Sequence, residues 1–489
     1  MMGRTTNENR SRHLADGVVR GLMAESLFPL TGLVTAAYLT RALLPEGYGW
    51  FTLVASFVGW VEWTVATVFS RAALKLVGEA GEDWQRIGSA LVRWHLWLGC
   101  GAMLLVMGLA SPLGRVFGDE SVAWWLGLMA LEIPVFSVAH AHRSVLTGRG
   151  GYRQRAVASV WRWLSRLVLI VGLVELGMSV SGAILGNLAA TVIELVVTRR
   201  YCSIPWRVAN PVSVREVLGY AVPLFVASAC LRLFDVQMVL MLKACGGSAQ
   251  EVGWLGAAVN VAILPRLLSM TFVPMLTATL THAVRDGEHE RARALTRDAL
   301  RVVWWMLPLV GLTAGAGREI AGLLFGARFV EAGPLLGWLM WGAIGTVVFN
   351  VVTGVLTAAG YPRATVGYAV ALVVAGIGLG LWWVPSWGAL GAAMAWSISA
   401  WFGAGLALWT VHRVWKVEMP VTALGRCAIV GVAVWWVARE WATPGGWVVL
   451  KMMLLATGAV FGLVIVREWG WREWNLARSL MAWNRSAPS

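Results

Sequence analysis

From about residue 18 to about residue 466 this chain is a succession of apolar runs, each about as long as a bilayer is thick. That feature leaves little choice of fold. A spanning helix needs ~20 mostly apolar residues, because in hydrocarbon every backbone N–H and C=O must be paired within the segment. About fourteen such helices are expected, near 18–40, 49–70, 87–110, 122–142, 156–176, 179–198, 216–242, 252–281, 302–325, 332–358, 364–385, 388–411, 421–438 and 446–466. Only 13% of the residues are charged, against about 25% in soluble domains. Many of the 31 tryptophans stand near the ends of the apolar runs, where an interfacial aromatic belt places them.

The second half of the chain echoes the first. Val116-Phe117-Gly118 returns as Leu324-Phe325-Gly326. Val145-Leu146-Thr147 with Gly151-Tyr152 returns as Val355-Leu356-Thr357 with Gly360-Tyr361. Tyr48-Gly49-Trp50 returns as Val252-Gly253-Trp254, and Ser181-Gly182-Ala183 as Trp387-Gly388-Ala389. The common offset, about 206 residues, implies a duplicated bundle with a seam between its halves, a transporter's architecture. Each repeat holds six helices and starts on the same side, so the repeat is parallel. The expected lobes are 1–200 (helices 1–6) and 211–416 (helices 7–12), followed by 421–489, which adds two helices and a basic tail. The linker 199–215 is basic and carries Pro205 and Pro211.

Lys and Arg alternate from side to side. Segments holding Arg4, Arg10 and Arg12, then Arg143, Arg149, Arg153 and Arg155, then Arg285 to Arg301, are several-fold richer than those holding Arg41, Arg115, Lys243 and Arg318. The positive-inside rule then puts both termini in the cytoplasm. The net charge of +14 is spread between the apolar runs, which argues against nucleic acid as a partner and for anionic lipid headgroups. Arg285–Arg301 reads as an amphipathic surface segment or a solvated connector.

No catalytic signature stands out, and no phosphate-binding loop of the ATPase type. Short connections weigh against a glycosyltransferase or polymerase. The five cysteines form no C-x-x-C; they read as small buried residues, and no cofactor or metal is expected. His140 and His142 stand two apart on a helix and point away from each other, which does not suit a shared metal.

Charge inside the apolar runs is the useful signal. A charged residue at a helix centre costs roughly 2.5–3.5 kcal/mol on insertion scales and asks for a cavity, a partner or a function. Such residues are Arg20, Glu25, Glu62, Arg93, Glu132, Glu194, Arg232, Asp235 and Arg266, with Arg155, Arg162 and Arg166 as a stripe on helix 5. Arg232 and Asp235 share a face at i, i+3. From Ala364 to His412 there is no Asp, Glu, Lys or Arg, so the polar interior belongs to helices 1–8. Candidate residues for an anion-binding cavity are Arg232, Arg266, Arg166, Arg93 and Arg20. Glu25, Glu62 and Asp235 are candidates for ion coupling or for structural pairing.

Several short motifs resemble one family. Arg41-Ala42-Leu43-Leu44-Pro45-Glu46 with Tyr48-Gly49 resembles the R-x-L-G-P-E signature of polysaccharide flippases, with Leu44 in place of the usual Gly. Pro223, Asp235 and Val252-Gly253-Trp254 resemble the opening of the second lobe, with Trp254 near the usual Tyr. Ala359-Gly360-Tyr361-Pro362 and Gly388-Ala389-Leu390-Gly391-Ala392-Ala393 resemble a later turn and helix start. Together they span roughly residues 18–415 and are similar to the Wzx-like branch of the multidrug/oligosaccharidyl-lipid/polysaccharide (MOP) exporter superfamily, which includes lipid II flippases and MATE drug exporters. The resemblance implies an all-α MOP/MATE-like fold in the bacterial inner membrane. It implies a flippase, not an enzyme, carrying a polyprenyl-pyrophosphate-linked oligosaccharide to the outer leaflet by alternating access through a cationic cavity. Implied partners are that lipid-linked glycan and polysaccharide polymerase and chain-length machinery. The alternative on the same fold is an ion-coupled exporter of small molecules.

Overall fold

The computed structural model describes residues 2–206, 214–443 and 445–470; within them, side chains at 2–26, 214–227 and a few single positions are not described. The candidates Arg20 and Glu25, the motif residue Pro223, the linker at Pro211 and the basic tail from 471 therefore lie outside the described residues or side chains.

Among the described residues all regular structure is helical. In chain order the α-helices are α1 (Met2–Glu79), α2 (Trp84–Val116), α3 (Ser121–Ala130), α4 (Glu132–Gly148), α5 (Tyr152–Leu173), α6 (Ser179–Tyr201), α7 (Val214–Ala244), α8 (Ala249–Ala262), α9 (Leu264–Arg285), α10 (His289–Trp304), α11 (Leu307–Gly315), α12 (Gly317–Phe325), α13 (Gly333–Ala358), α14 (Pro362–Trp415), α15 (Val421–Glu440) and α16 (Trp447–Ile465). Nine spans among the described residues are long and apolar enough to cross a membrane, or ten if the pair bent by 75° at Ala316 is one span. This differs from about fourteen separate helices for a visible reason. The spans Leu27–Phe69, Tyr152–Tyr201 and Ala364–Trp415 are 43, 50 and 52 residues long, about twice what a bilayer requires. Each runs through a hinge that the sequence pattern reads as a gap. The Arg285–Arg301 segment is for the most part α10, whose charged first turns give way to a buried face of Ala292, Thr296, Ala299 and Leu300.

The hinges have local causes. In α1 the break is at Leu44 (φ 60, ψ 172). Pro45 disfavours the α conformation at the residue before it, which accounts for the extended ψ. The positive φ is a conformation that suits glycine and costs other residues about 1–3 kcal/mol. Leu44 stands where the resembled signature has Gly. Leu44→Gly is accordingly expected to stabilise the protein by about 1–3 kcal/mol, seen as a higher melting temperature in detergent; a lower one would mean that Leu44 packing outweighs the backbone strain.

The repeat is visible in backbone angles. Gly118 and Gly326 both take positive φ (72° and 97°), as do Gly150 and Gly360 (75° and 88°). Ser179 (φ 49, ψ −131) is matched by Gly388 (φ 54, ψ −132). This last pair corrects the register: Gly388 answers Ser179, and Gly391 answers Gly182. Each of these second glycines lies against a carbonyl of the preceding helix, Leu173 for Gly182 and Trp383 for Gly391.

The chain packs as two compact units, Met1–Val261 with Arg363–Ser399, and Ala262–Pro362 with Ala400–Ser489. In the first, α1 packs against α2, α4, α5, α6 and α7. The core near one end holds Phe69, Val77, Leu91, Val92, Val145 and Leu146. The first unit also contains a backbone crossing of α1 with α8. A Cβ on Gly49 would fall on the carbonyl oxygen of Ala249, and one on Gly253 on that of Pro45. These glycines are the repeat landmarks, and each lies where the other's helix backbone arrives. Small residues at such crossings let helices approach where lipid supplies no hydrophobic drive.

In the second unit α13 is the central helix, with Leu336, Leu339, Val348 and Val351 fully buried. The last two helices are fastened there by two ion clusters. Lys451 of α16, fully buried, donates to Glu319 of α12 at 2.6 Å. Glu468, just beyond α16, accepts from Arg301 of α10 at 2.8 Å and from Arg426 of α15 at 3.0 Å.

Candidate functional site

Within the first unit, α1, α4, α5, α6 and α7 bring together the charges that the sequence scatters over about 170 residues. The centre is Arg162 on α5, buried. Its Nη1 donates to Glu194 Oε2 of α6 at 2.8 Å, and its Nη2 lies 4.0 Å from Glu132 Oε1 of α4. Glu194 Oε1 faces Arg143 Nη1 at 3.0 Å. Glu132 accepts from Asn187 Nδ2 and Thr191 Oγ1, both at 2.6 Å. Glu132 and Glu194 are fully buried. Isolated buried charges cost several kcal/mol each, so they persist only with this kind of pairing and hydrogen bonding.

Aromatic rings wall the cluster. The Arg162 guanidinium lies 4.9 Å from the Phe136 ring centre and that of Arg143 5.6 Å from it. Trp63 meets Phe136 and His140 edge-on. Over the Trp63 ring, at 4.6 Å, stands the guanidinium of Arg232 from α7, a cation–π pairing. Arg232 is 3.9 Å from Asp235, and its side chain keeps 40% exposure.

The helix-5 stripe therefore divides into three roles. Arg155 turns to Thr147 Oγ1 at 3.2 Å near the helix end. Arg162 is locked in the ion cluster. Arg166, one turn further on, is half-buried and has no hydrogen bond or ion pair to any described residue, with its Nε buried and unpartnered. It lies within electrostatic reach of Arg162, Glu132, Tyr48 and Glu62. Tyr48 is itself held by Asn260 Nδ2 at 3.0 Å. Glu62 on α1 is 5% exposed and its Oε1 has no donor.

The remaining candidates fall elsewhere. Arg93 is half-buried on α2, one turn before Trp97, which is 75% exposed, and it shares no partner with the cluster. Arg266 is half-buried in the first turn of α9, after Pro265, and belongs to the second unit.

Sequence reasoning flagged Glu132 and Glu194 as intramembrane acids but did not join them to Arg162 and Arg143. The Arg162–Glu194 partners are 32 positions apart, beyond any same-helix rule. A count of acids against bases on helices 4–6 is the signal that points to them.

A unit of packed apolar helices with an internal cluster of arginines and glutamates invites comparison with known membrane proteins. Residues 14–281, more than half the chain, match the model of a family described as "Polysaccharide biosynthesis protein". The chain belongs to the polysaccharide biosynthesis protein family. This family member matches no curated protein sequence. Solved structures resemble it at low identity. "Lipid II flippase MurJ, inward closed conformation" aligns with a TM-score of 0.76 at 12% identity, covering 92% of this chain and 99% of that one. An inward-facing "multidrug resistance MATE family transporter of the MOP superfamily" aligns with a TM-score of 0.69 at 15% identity, covering 81% and 98%. A Vibrio cholerae MATE transporter aligns at 0.57 and 13% identity, covering 85% and 99%. At such identities the likeness shows fold: this polysaccharide biosynthesis protein is a multi-pass membrane protein with the MurJ/MATE-like fold of the MOP superfamily.

Proposed function

We propose that the protein carries a polyprenyl-pyrophosphate-linked oligosaccharide from the inner to the outer leaflet of the bacterial cytoplasmic membrane, with both termini in the cytoplasm. The observation that carries this reading is Arg166. A guanidinium inside a span, partly accessible and without a partner among the described residues, is suited to holding an anion. Arg232, on the Trp63 ring, supplies a second accessible cation in the same unit. A diphosphate fits a pair of guanidinium groups, while the polyprenol tail stays in lipid. The sugars would cross through a central cavity as the two six-helix lobes rock about it. An anionic head leaving a negative cytoplasm gains about 2.3 kcal/mol per charge per 100 mV. The family membership supports a role in polysaccharide export, and no bond need be made or broken.

The test is leaflet accessibility of a polyprenyl-diphosphate oligosaccharide in liposomes holding the purified protein. Wild type is expected to expose the sugar to an externally added glycosidase. Arg166→Ala and Arg232→Ala are each expected to slow this at least about tenfold, the scale of one lost charge-assisted hydrogen bond. Unchanged rates in both variants would remove the cationic site from the reading. If wild type instead moves a cationic dye under a proton gradient and no glycan, the small-molecule exporter replaces the flippase.

A further inference from the structure

The span built on α13 is the most enclosed one among the described residues. In Ala327–Ala358, 89% of the most apolar stretch is buried, against 17–56% in the other single spans. A helix that faces lipid exposes a broad stripe along its length, and α13 does not. From Leu335 to Phe349 every residue is buried except Trp338 and Trp341. At i, i+3 these two share one face of the helix. One turn on, that face continues at Gly345, where the indole of Trp401 from α14 lies over it: a Cβ on Gly345 would fall 3.1 Å from that ring.

The rings form a connected array inside the second unit. Trp338 meets Trp341 edge-on, with ring centres 5.8 Å apart. Trp341 and Trp401 are 5.4 Å apart, and Trp401 Nε1 donates to the Trp341 carbonyl at 3.0 Å. Trp304 of α10 stacks on Trp401 at 6.0 Å, and its own indole N–H is buried with no acceptor among the described residues. A buried indole N–H ordinarily finds an acceptor, so a donor is left over beside the array. Depth sets these rings apart from an interfacial belt, whose tryptophans sit at headgroup level. Gly345 is half-way along the 26-residue α13, so Trp401 covers the middle of the span. Charge is absent as well: α13 carries no Asp, Glu, Lys or Arg, nor does 364–412, and Arg301, one turn before Trp304, is spent on Glu468.

The repeat sharpens the contrast with the first unit. Its offset runs from 208 (Gly118 to Gly326) to 210 (Gly150 to Gly360), which carries Glu132 to 340–342, the place of Trp341. Where one unit holds a buried acid, the other holds an indole. An uncharged aromatic strip at mid-depth has little for a diphosphate, and a lipid tail needs no more than aliphatic side chains. It suits a pyranose, whose flat face of C–H groups can lie on the negative face of an indole while its hydroxyls meet water or an N–H at the rim. We propose that Trp338, Trp341 and Trp401 form a saccharide-binding strip in the second unit, on which sugar rings of the glycan head stack during passage. This rests on the flippase reading and adds to it the residues that hold the neutral part of the head group.

The test uses the full-length protein in nanodiscs and two probes of equal charge. One is a short-chain prenyl-diphospho-N-acetylglucosamine; the other is the same prenyl diphosphate with a methyl ester in place of the sugar. Stacking reads a face that pyranoses share, so one sugar suffices. Wild type should bind the sugar probe about two- to tenfold more tightly than the methyl probe, the range of one aromatic stack. Trp341→Leu and Trp338→Leu, which stay apolar but lose the ring, should each erase most of that ratio and leave binding of the methyl probe unchanged. Trp341→Tyr should keep part of it. Equal affinity of wild type for both probes, or a ratio that survives both Leu changes, overturns the strip and leaves the anion site standing. Leu variants that weaken both probes alike also overturn it, since the rings then serve structure alone. Tetraphenylphosphonium bound by wild type and lost with Trp341→Leu, without any sugar preference, makes the strip a cation site instead. If neither probe binds wild type, the flippase reading fails and the strip with it. Should Trp341→Leu not fold, Trp338→Leu still decides.

Discussion

Glu194→Leu should cripple folding, with a loss of about 3–5 kcal/mol, the cost of leaving a buried charge without its partner. Two arginines lose at once. Arg143 and Arg162 both point at Glu194 from α4 and α5, at 3.0 and 2.8 Å, and both side chains are largely buried. Because a domain has only about 5–15 kcal/mol to lose, most of the variant is expected to be degraded or misfolded in the membrane. What folds should melt well below wild type in detergent. Glu194→Gln keeps the shape and hydrogen-bonding capacity and should fall between the two. The triple change Glu194→Leu with Arg143→Met and Arg162→Met, which removes Glu194 with both of its arginines and leaves Glu132 on Asn187 and Thr191, should recover part of the loss. If Glu194→Leu melts like wild type, the cluster is not the buried network described above.

Gly49→Ala and Gly253→Ala are each expected to destabilise the protein by about 1–3 kcal/mol or somewhat more. In both, the added methyl meets a main-chain carbonyl, of Ala249 or of Pro45, and a main chain cannot rotate away as a side chain can. The double variant carries the sharper prediction. Once one methyl has pushed α1 and α8 apart, the second finds the space already open. The double should therefore cost clearly less than the two single changes together, a coupling measurable by a double-mutant cycle. Strict additivity would show that the helices give independently at each site.

The class of the protein and its recurring turns were legible in the sequence because both are written in local pattern. Apolar runs of bilayer length and recurring Gly-containing turns survive without knowledge of what packs where. The Ser179–Gly388 match was not legible in the right register, since it lives in backbone angles and the residues differ. Hinges were read as gaps for a related reason: at Leu44 one residue leaves helical geometry while hydrogen bonding resumes at once. In the site, Arg166 stood out in sequence because no acid lies within a turn of it. Arg162 looked equivalent to it at i−4. Only the meeting of α4, α5 and α6 separates them, giving two glutamates to one and none to the other. Arg232 and Asp235 were the easy case, since an i, i+3 spacing sets two side chains on one face of any helix.

The crossing at Gly49 and Gly253 has a consequence for how such a chain can change over time. A half-length ancestor assembling as a parallel dimer would have met itself across a two-fold axis, an isologous contact in which one residue serves on both sides. Any substitution there would strike twice, once in each copy, so the position would be held fixed by a doubled penalty. Fusion of the halves ends that constraint, and each side can then be altered singly. The surroundings differ in this way: three places beyond the glycines, Gly256 lies against its counterpart Thr52, and Tyr48 bonds to Asn260 while its own counterpart, Val252, has no hydroxyl to offer. The glycine pair is where that freedom stops, because there the neighbour is main chain, which no mutation can shorten.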